Sequence, residues 1–229
     1  MNNRSWSRKS SRSRSWNSKG RLLAMLGLLA WQAVAQAAPS AGAEDFRGND
    51  LRDIRIGMAV ADLPKDGYVD FACAADPKQT LSGWDNWKSC AADTNALRAI
   101  RFGYDPATSR DGTMVAGHPA ILTLSFDDSG HVAALQIVTD PKARLYIRKK
   151  AFLLGLQAKS RYGTEGWICT EGQPDAGDQP VGGVYVRERC TKTISGRSLV
   201  VERNLFRRPD QDAKSFVDET RISIARAAN

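Results

Sequence analysis

Residues 121–138 read ILTLSFDDSGHVAALQIV, and this stretch decides the fold. Two apolar-alternating runs, Ile121–Phe126 and Val132–Val138, flank Asp127-Asp128-Ser129-Gly130. Period-two alternation on either side of an Asp/Ser/Gly turn is the signature of an antiparallel hairpin. Upstream, Ile100, Phe102 and Tyr104 share one face of a strand over 99–104, and a strand-like piece over 68–74 carries Cys73. Downstream, Val184–Thr193 and Ser198–Phe206 predict a second hairpin around Ser195-Gly196, preceded by a strand over 167–170 and followed by one over 217–225.

Between the hairpins lies the clearest helical pattern. Ile147, Ala151, Leu154, Ala158 and Tyr162 fall on one stripe, widened by Leu145, Phe152 and Leu156, and Gly163 supplies a stop. A helix over 142–161 is therefore expected. A shorter helix is expected near 57–63, stopped by Pro64. In this order the chain reads α (57–63) then β near 70, 100, 123 and 135, followed by α (142–162) then β near 168, 187, 202 and 222. The fold class expected is α+β: two α-β4 repeats, 51–140 and 141–229, with antiparallel sheets and helices packed on one face.

The N-terminus carries a different signal. A basic segment precedes the apolar run Leu22–Val34, and Ala35-Gln36-Ala37 gives an A-x-A cleavage pattern before Ala38. Residues 1–37 are expected to be a signal peptide and 38–50 a flexible lead, placing the mature chain in the periplasm or outside the cell. Seven of the 33 basic residues and none of the 25 acidic ones lie before Ala38, which leaves 26 against 25. The formal charge of +8 thus belongs to the targeting segment, and the mature chain has no net field for a nucleic-acid backbone.

Four cysteines, Cys73, Cys90, Cys169 and Cys190, all lie in the mature part. In an exported chain an even count favours disulfides, and three pairings are possible. Cys73–Cys90 with Cys169–Cys190 is favoured because each closes a local loop, worth about 3 kcal/mol apiece by chain entropy. No C-x-x-C occurs, and the only histidines, His118 and His131, follow glycines in expected turns, so no metal or cofactor is expected.

The segment Ile54-Arg55-Ile56-Gly57-Met58 followed by Leu63, and Tyr162-Gly163 closing a helix, are similar to the helix entry and exit of small envelope proteins of the BamE type. Tandem copies of that unit, each with a local disulfide, resemble the β-lactamase-inhibitor-protein fold. The resemblance implies an envelope protein that works by binding. Ala59 replaces the usual Thr or Ser, Pro64 shortens the first helix and no lipid-acceptor cysteine is present, so a lipoprotein role does not transfer.

No catalytic residues are assigned. His131 beside Asp127 and Asp128 is a drawable base, but hairpin turns use these residue types for bends. Two binding candidates remain. Trp84 and Trp87 sit inside the Cys73–Cys90 loop; they form either a recognition surface, whose double alanine variant weakens partner capture without unfolding, or a small satellite core. Arg144, Arg148, Lys149 and Lys150 belong to a 142–161 segment with seven basic and no acidic residues. Its alternatives are a solvated face or a docking surface for an acidic protein or anionic headgroups. The function expected is non-enzymatic protein–protein binding or envelope assembly, with a small-ligand carrier or an unrecognisable hydrolase as the alternative.

Overall fold

A computed structural model describes residues 46–212 and 215–227. The expected signal peptide and most of the expected lead lie outside these residues. Among the described residues, nine strands form one antiparallel sheet: β1 (Tyr68–Cys73), β2 (Arg98–Tyr104), β3 (Met114–Val115), β4 (His118–Phe126), β5 (Val132–Thr139), β6 (Ile168–Glu171), β7 (Val186–Ile194), β8 (Arg197–Phe206) and β9 (Val217–Arg226). Their order is β1-β2-β4-β5-β9-β8-β7-β6, with the short β3 added on β4. Each half is a four-strand meander, and the two meanders join through their last strands, β5 and β9.

Joining at β5–β9 makes one sheet where two repeats were expected, and the described residues fall in one compact unit. The first repeat also lacks its helix. Only a single 3₁₀ turn, Val60–Asp62, forms near 57–63, and none of its residues is buried. Pro64 follows at once, and a turn this short has no apolar face to bury.

Alternation sorts the sheet into two faces. One register row runs Ile100, Leu124, Leu135, Ile224 and Leu199, and all five are buried. The next row on the other face runs Ala99, Ser125, Ala134, Ala225, Ser198 and Thr193, small or polar throughout. The apolar face is covered by the 46–63 segment, by the 84–90 loop and by two helical pieces, α1 (Leu145–Arg148) and α2 (Phe152–Arg161).

The expected single helix over 142–161 is therefore interrupted. Arg144 occupies the N-cap position and its side chain accepts no amide hydrogen there, since it has no acceptor atom. The backbone then tightens: Lys150 N–H donates to Ile147 and Ala151 N–H to Arg148, both spanning three residues. Like-charged neighbours Arg148, Lys149 and Lys150 and the absence of acid in either first turn work against a regular helix here.

Closely fitted contacts pin α2 to the sheet. The buried Thr220 hydroxyl donates to Ala151 O at 2.8 Å, and Thr220 N–H donates to Thr139 Oγ1 at 3.0 Å. A Cβ on Gly155 would stand 3.3 Å from Val201 Cγ1 and 3.4 Å from Thr220 Cγ2. Gly155→Leu therefore forces the helix off β8 and β9 and is expected to cost about 1–3 kcal/mol, read as a lowered melting temperature. At the far end, Lys192 Nζ donates to the carbonyls of Tyr162, Gly163 and Glu165, which cations near a helix C-terminus satisfy well.

Both disulfides form as paired in the sequence reading. Cys73–Cys90 ties β1 to the following loop, and Cys169–Cys190 bridges β6 and β7 directly across their register. The end of the expected lead is not loose. Phe46 packs on Tyr162 at 4.5 Å between ring centroids, and the Asp50 side chain is fully buried.

Candidate functional site: the basic, apolar ridge of α1 and α2

Helical spacing splits this segment into an inner and an outer side. Ala151, Leu154, Gly155, Ala158 and Tyr162 face the sheet and are buried. Leu145, Tyr146, Phe152, Leu153 and Leu156 face outward, and Tyr146 and Leu156 keep 61% and 55% of their surface exposed. Large apolar side chains gathered on one outer face of a folded domain mark a contact surface, whereas scattered single ones do not.

The cations divide according to their partners. Arg148 is used by the fold: its guanidinium donates to Phe216 O at 2.6 Å and lies 5.0 Å from the Phe216 ring. Lys159 pairs with Glu188 at 3.2 Å, and Arg161 donates to Asn49 O. Arg144, Lys149 and Lys150 are exposed, as is Lys142, and no acidic side chain among the described residues pairs with any of the four. A buried His118 fixes α1 from below, one ring nitrogen 3.1 Å from Ile147 O and the other 2.9 Å from Pro119 O. His118 thus lies in the first residue of β4 and not, as expected, in a turn.

The tryptophans go elsewhere. Trp84 and Trp87 are both buried in the 3₁₀ segment Trp84–Ser89, so the surface alternative is corrected to the core alternative. Residues three apart eclipse on a 3₁₀ helix, and both indoles therefore face the sheet together. Trp84 packs edge-on against Phe71 at 4.6 Å and Phe102 at 4.9 Å while its Nε1–H donates to Pro64 O at 2.9 Å. Trp87 lies against Phe126 and over Gly130 of the β4–β5 turn.

Two groupings invite a chemical reading and do not sustain it. At the β4–β5 turn, Ser129 Oγ is 3.2 Å from His131 Nδ1 and donates to Asp127 Oδ1 at 2.7 Å. Asp127 also receives His131 N–H at 2.9 Å. Burial works against its charge, but these hydrogen bonds and the nearby Arg226 outweigh that and hold its carboxyl below the usual range. A catalytic relay needs the acid on one imidazole nitrogen and the nucleophile on the other; here both approach Nδ1. The second grouping, Cys169, Glu188 and Cys190, would suit a metal only with free thiolates, and both sulfurs are in a disulfide.

Over β7, β8 and β9 the open face of the sheet carries charges matched among themselves. Arg189 pairs with Glu202, and Arg221 reaches both Glu202 at 4.0 Å and Glu219 at 3.3 Å. Unsatisfied charge next to exposed apolar surface is thus found on the ridge. No helix among the described residues is long and apolar enough to cross a membrane. Comparison with known proteins gives no match: no family model, no curated protein and no solved structure matches this chain.

Proposed function

We propose that this chain is an exported, non-enzymatic binding protein of the bacterial envelope that docks on an acidic surface of a protein partner through the α1–α2 ridge. The observation that carries this reading is the ridge itself: five exposed large apolar side chains interleaved with Lys142, Arg144, Lys149 and Lys150. Apolar anchors supply affinity and the surrounding cations select an acidic partner and speed encounter. The paired Arg189–Glu202–Arg221–Glu219 chain on the open face offers no comparable preference. Two disulfides favour an oxidising compartment. Two meanders, each with its own disulfide, support a tandem plan of the β-lactamase-inhibitor type, with an α-helix, among the described residues, before the second meander only.

The test is capture from envelope extract with wild-type bait and with bait carrying Lys149→Glu and Lys150→Glu. Reversing two exposed charges leaves the melting temperature unchanged and lowers recovery of the partner at least about tenfold, with the loss in association rate. Equal recovery on both baits contradicts the ridge. Binding to phosphatidylglycerol vesicles with no protein recovered replaces the protein partner by a membrane surface.

A further inference from the structure

A cleft of about 300 Å³ opens between α2 and the apolar face of the sheet, beside the 50–52 turn and β3. Its volume is at the lower end of small-ligand sites, which run about 300–1,000 Å³. The floor is apolar and buried: Ile137 of β5, Leu154 of α2, and Ile222 and Ile224 of β9. The exposed lining residues, Arg52, Ala116, Gln157 and Arg161, mark the mouth.

The charges at the mouth are unequal in availability. Arg161 is spent on Asn49 O and lies 5.6 Å from the Phe46 ring. The Asp50 carboxylate, deeper in, accepts from Tyr162, Arg197 and the Ile56 amide, and its charge is balanced by the Arg197 guanidinium. Arg52 is different. Its guanidinium lies 3.4 Å from the centre of the Tyr104 ring, which positions it over the cleft, and no acidic side chain among the described residues pairs with it. Stacking holds the guanidinium plane while leaving its N–H edge available for a bidentate acceptor.

The backbone supports the same spot. Arg52 (φ 46°) and Ala116 (φ 52°) adopt the left-handed region, which costs a non-glycine residue energy. Both line this cleft, from chain segments over sixty positions apart. Each stands in a two-residue turn, Arg52 between Leu51 and Ile54 and Ala116 between β3 and β4, and the turns bring them to the mouth.

We propose that the cleft binds a small amphipathic anion of the alkyl carboxylate class, its chain on the Ile137–Leu154–Ile222–Ile224 floor and its carboxylate on Arg52. The site is independent of the ridge reading, because Lys149 and Lys150 do not line it. Calorimetric titration of the mature chain with octanoate and with octanol tests it. Octanoate binds at one site per chain, octanol binds more weakly, and Arg52→Gln weakens octanoate at least about tenfold while leaving octanol unchanged. Val115→Trp, which fills the cleft from its half-buried rim, abolishes binding of both, with the melting temperature showing that each variant is folded. Lys149→Glu with Lys150→Glu leaves octanoate affinity unaltered even where it abolishes partner capture. No heat with octanoate, equal affinity for octanol, or an Arg52→Gln variant that binds as tightly as wild type overturns the proposal.

Discussion

Replacing Asp50 by alanine is expected to destabilise the protein by about 3–5 kcal/mol, the range for removing one partner of a buried ion pair. Asp50 Oδ1 accepts Arg197 Nε and the Tyr162 hydroxyl, both at 2.8 Å, and Oδ2 accepts the Ile56 amide at 2.8 Å. The carboxylate side chain is fully buried and Arg197 is 11% exposed, so deletion leaves a guanidinium with little access to water. Arg197 also reaches the carbonyls of Phe46, Gly48 and Ser195 and stacks over Phe46. One carboxylate therefore ties together the segment entering the fold, the turn between β7 and β8, and the end of α2. The tie also has a chemical mark: burial, then the charge of Asp50 and the hydrogen bond to it, push the Tyr162 hydroxyl pKa well above its ordinary value. Asp50→Asn keeps an acceptor for Tyr162 and is expected to lose less. Urea denaturation with an unchanged slope checks both variants; a midpoint for Asp50→Ala equal to wild type refutes the account of this knot.

The tryptophans give the second large effect. Trp84→Ala and Trp87→Ala are each expected to cost about 3–5 kcal/mol, as for large aromatics removed from cores. Together they are expected to leave no cooperative unfolding transition at room temperature. Each indole is 4% exposed, and between them they contact Phe71, Phe102 and Phe126 and cover the β4–β5 turn. The surface alternative expects the opposite, a folded double variant with weakened partner binding. Circular dichroism melts of the double variant separate the two outcomes directly.

These tryptophans show where sequence pattern stops being informative. The pair lies in a segment with no period of two or 3.6, only six residues long, and its direction is set by Phe102 and Phe126, which arrive from β2 and β4. The strands are different. Ile100, Phe102 and Tyr104, or Leu199 and Val201, alternate within one segment, so local pattern alone gives their face, and every long strand of the sheet is readable. The short β3 is not, because two residues cannot show a period. Of the three possible disulfide pairings, loop length favours the one that forms.

Sheet order is a separate matter. The β5–β9 pairing joins residues about ninety positions apart, and nothing local distinguishes one joined sheet from two separate ones. The same holds for the polar network. Asp50 and Arg197 are 147 positions apart, and Asp50 reads as the end of a polar lead until the fold brings it under Tyr162. Of the ridge, the excess of cations is legible, but which of them remain available is not. Arg148 is taken by Phe216, Lys159 by Glu188 and Arg161 by Asn49, each through a contact set by tertiary structure. Leu145, Phe152 and Leu156 read as widening the helical stripe and so count toward the core, but they are exposed, and Tyr146 and Leu153 have no place in that pattern. Arg52 was missed altogether, since its role depends on Tyr104 of a strand beyond the first disulfide.

The central claim is that contact with the partner is made by the outer side of α1 and α2. A photo-crosslinking side chain placed at Tyr146 or Leu156, both exposed there, should trap the partner in envelope extract. The same group at Thr191 or Val200, in the row across the open sheet face, should trap nothing. Adducts from Thr191 and Val200 with none from Tyr146 and Leu156 would move the contact to the opposite side of the molecule and contradict the account.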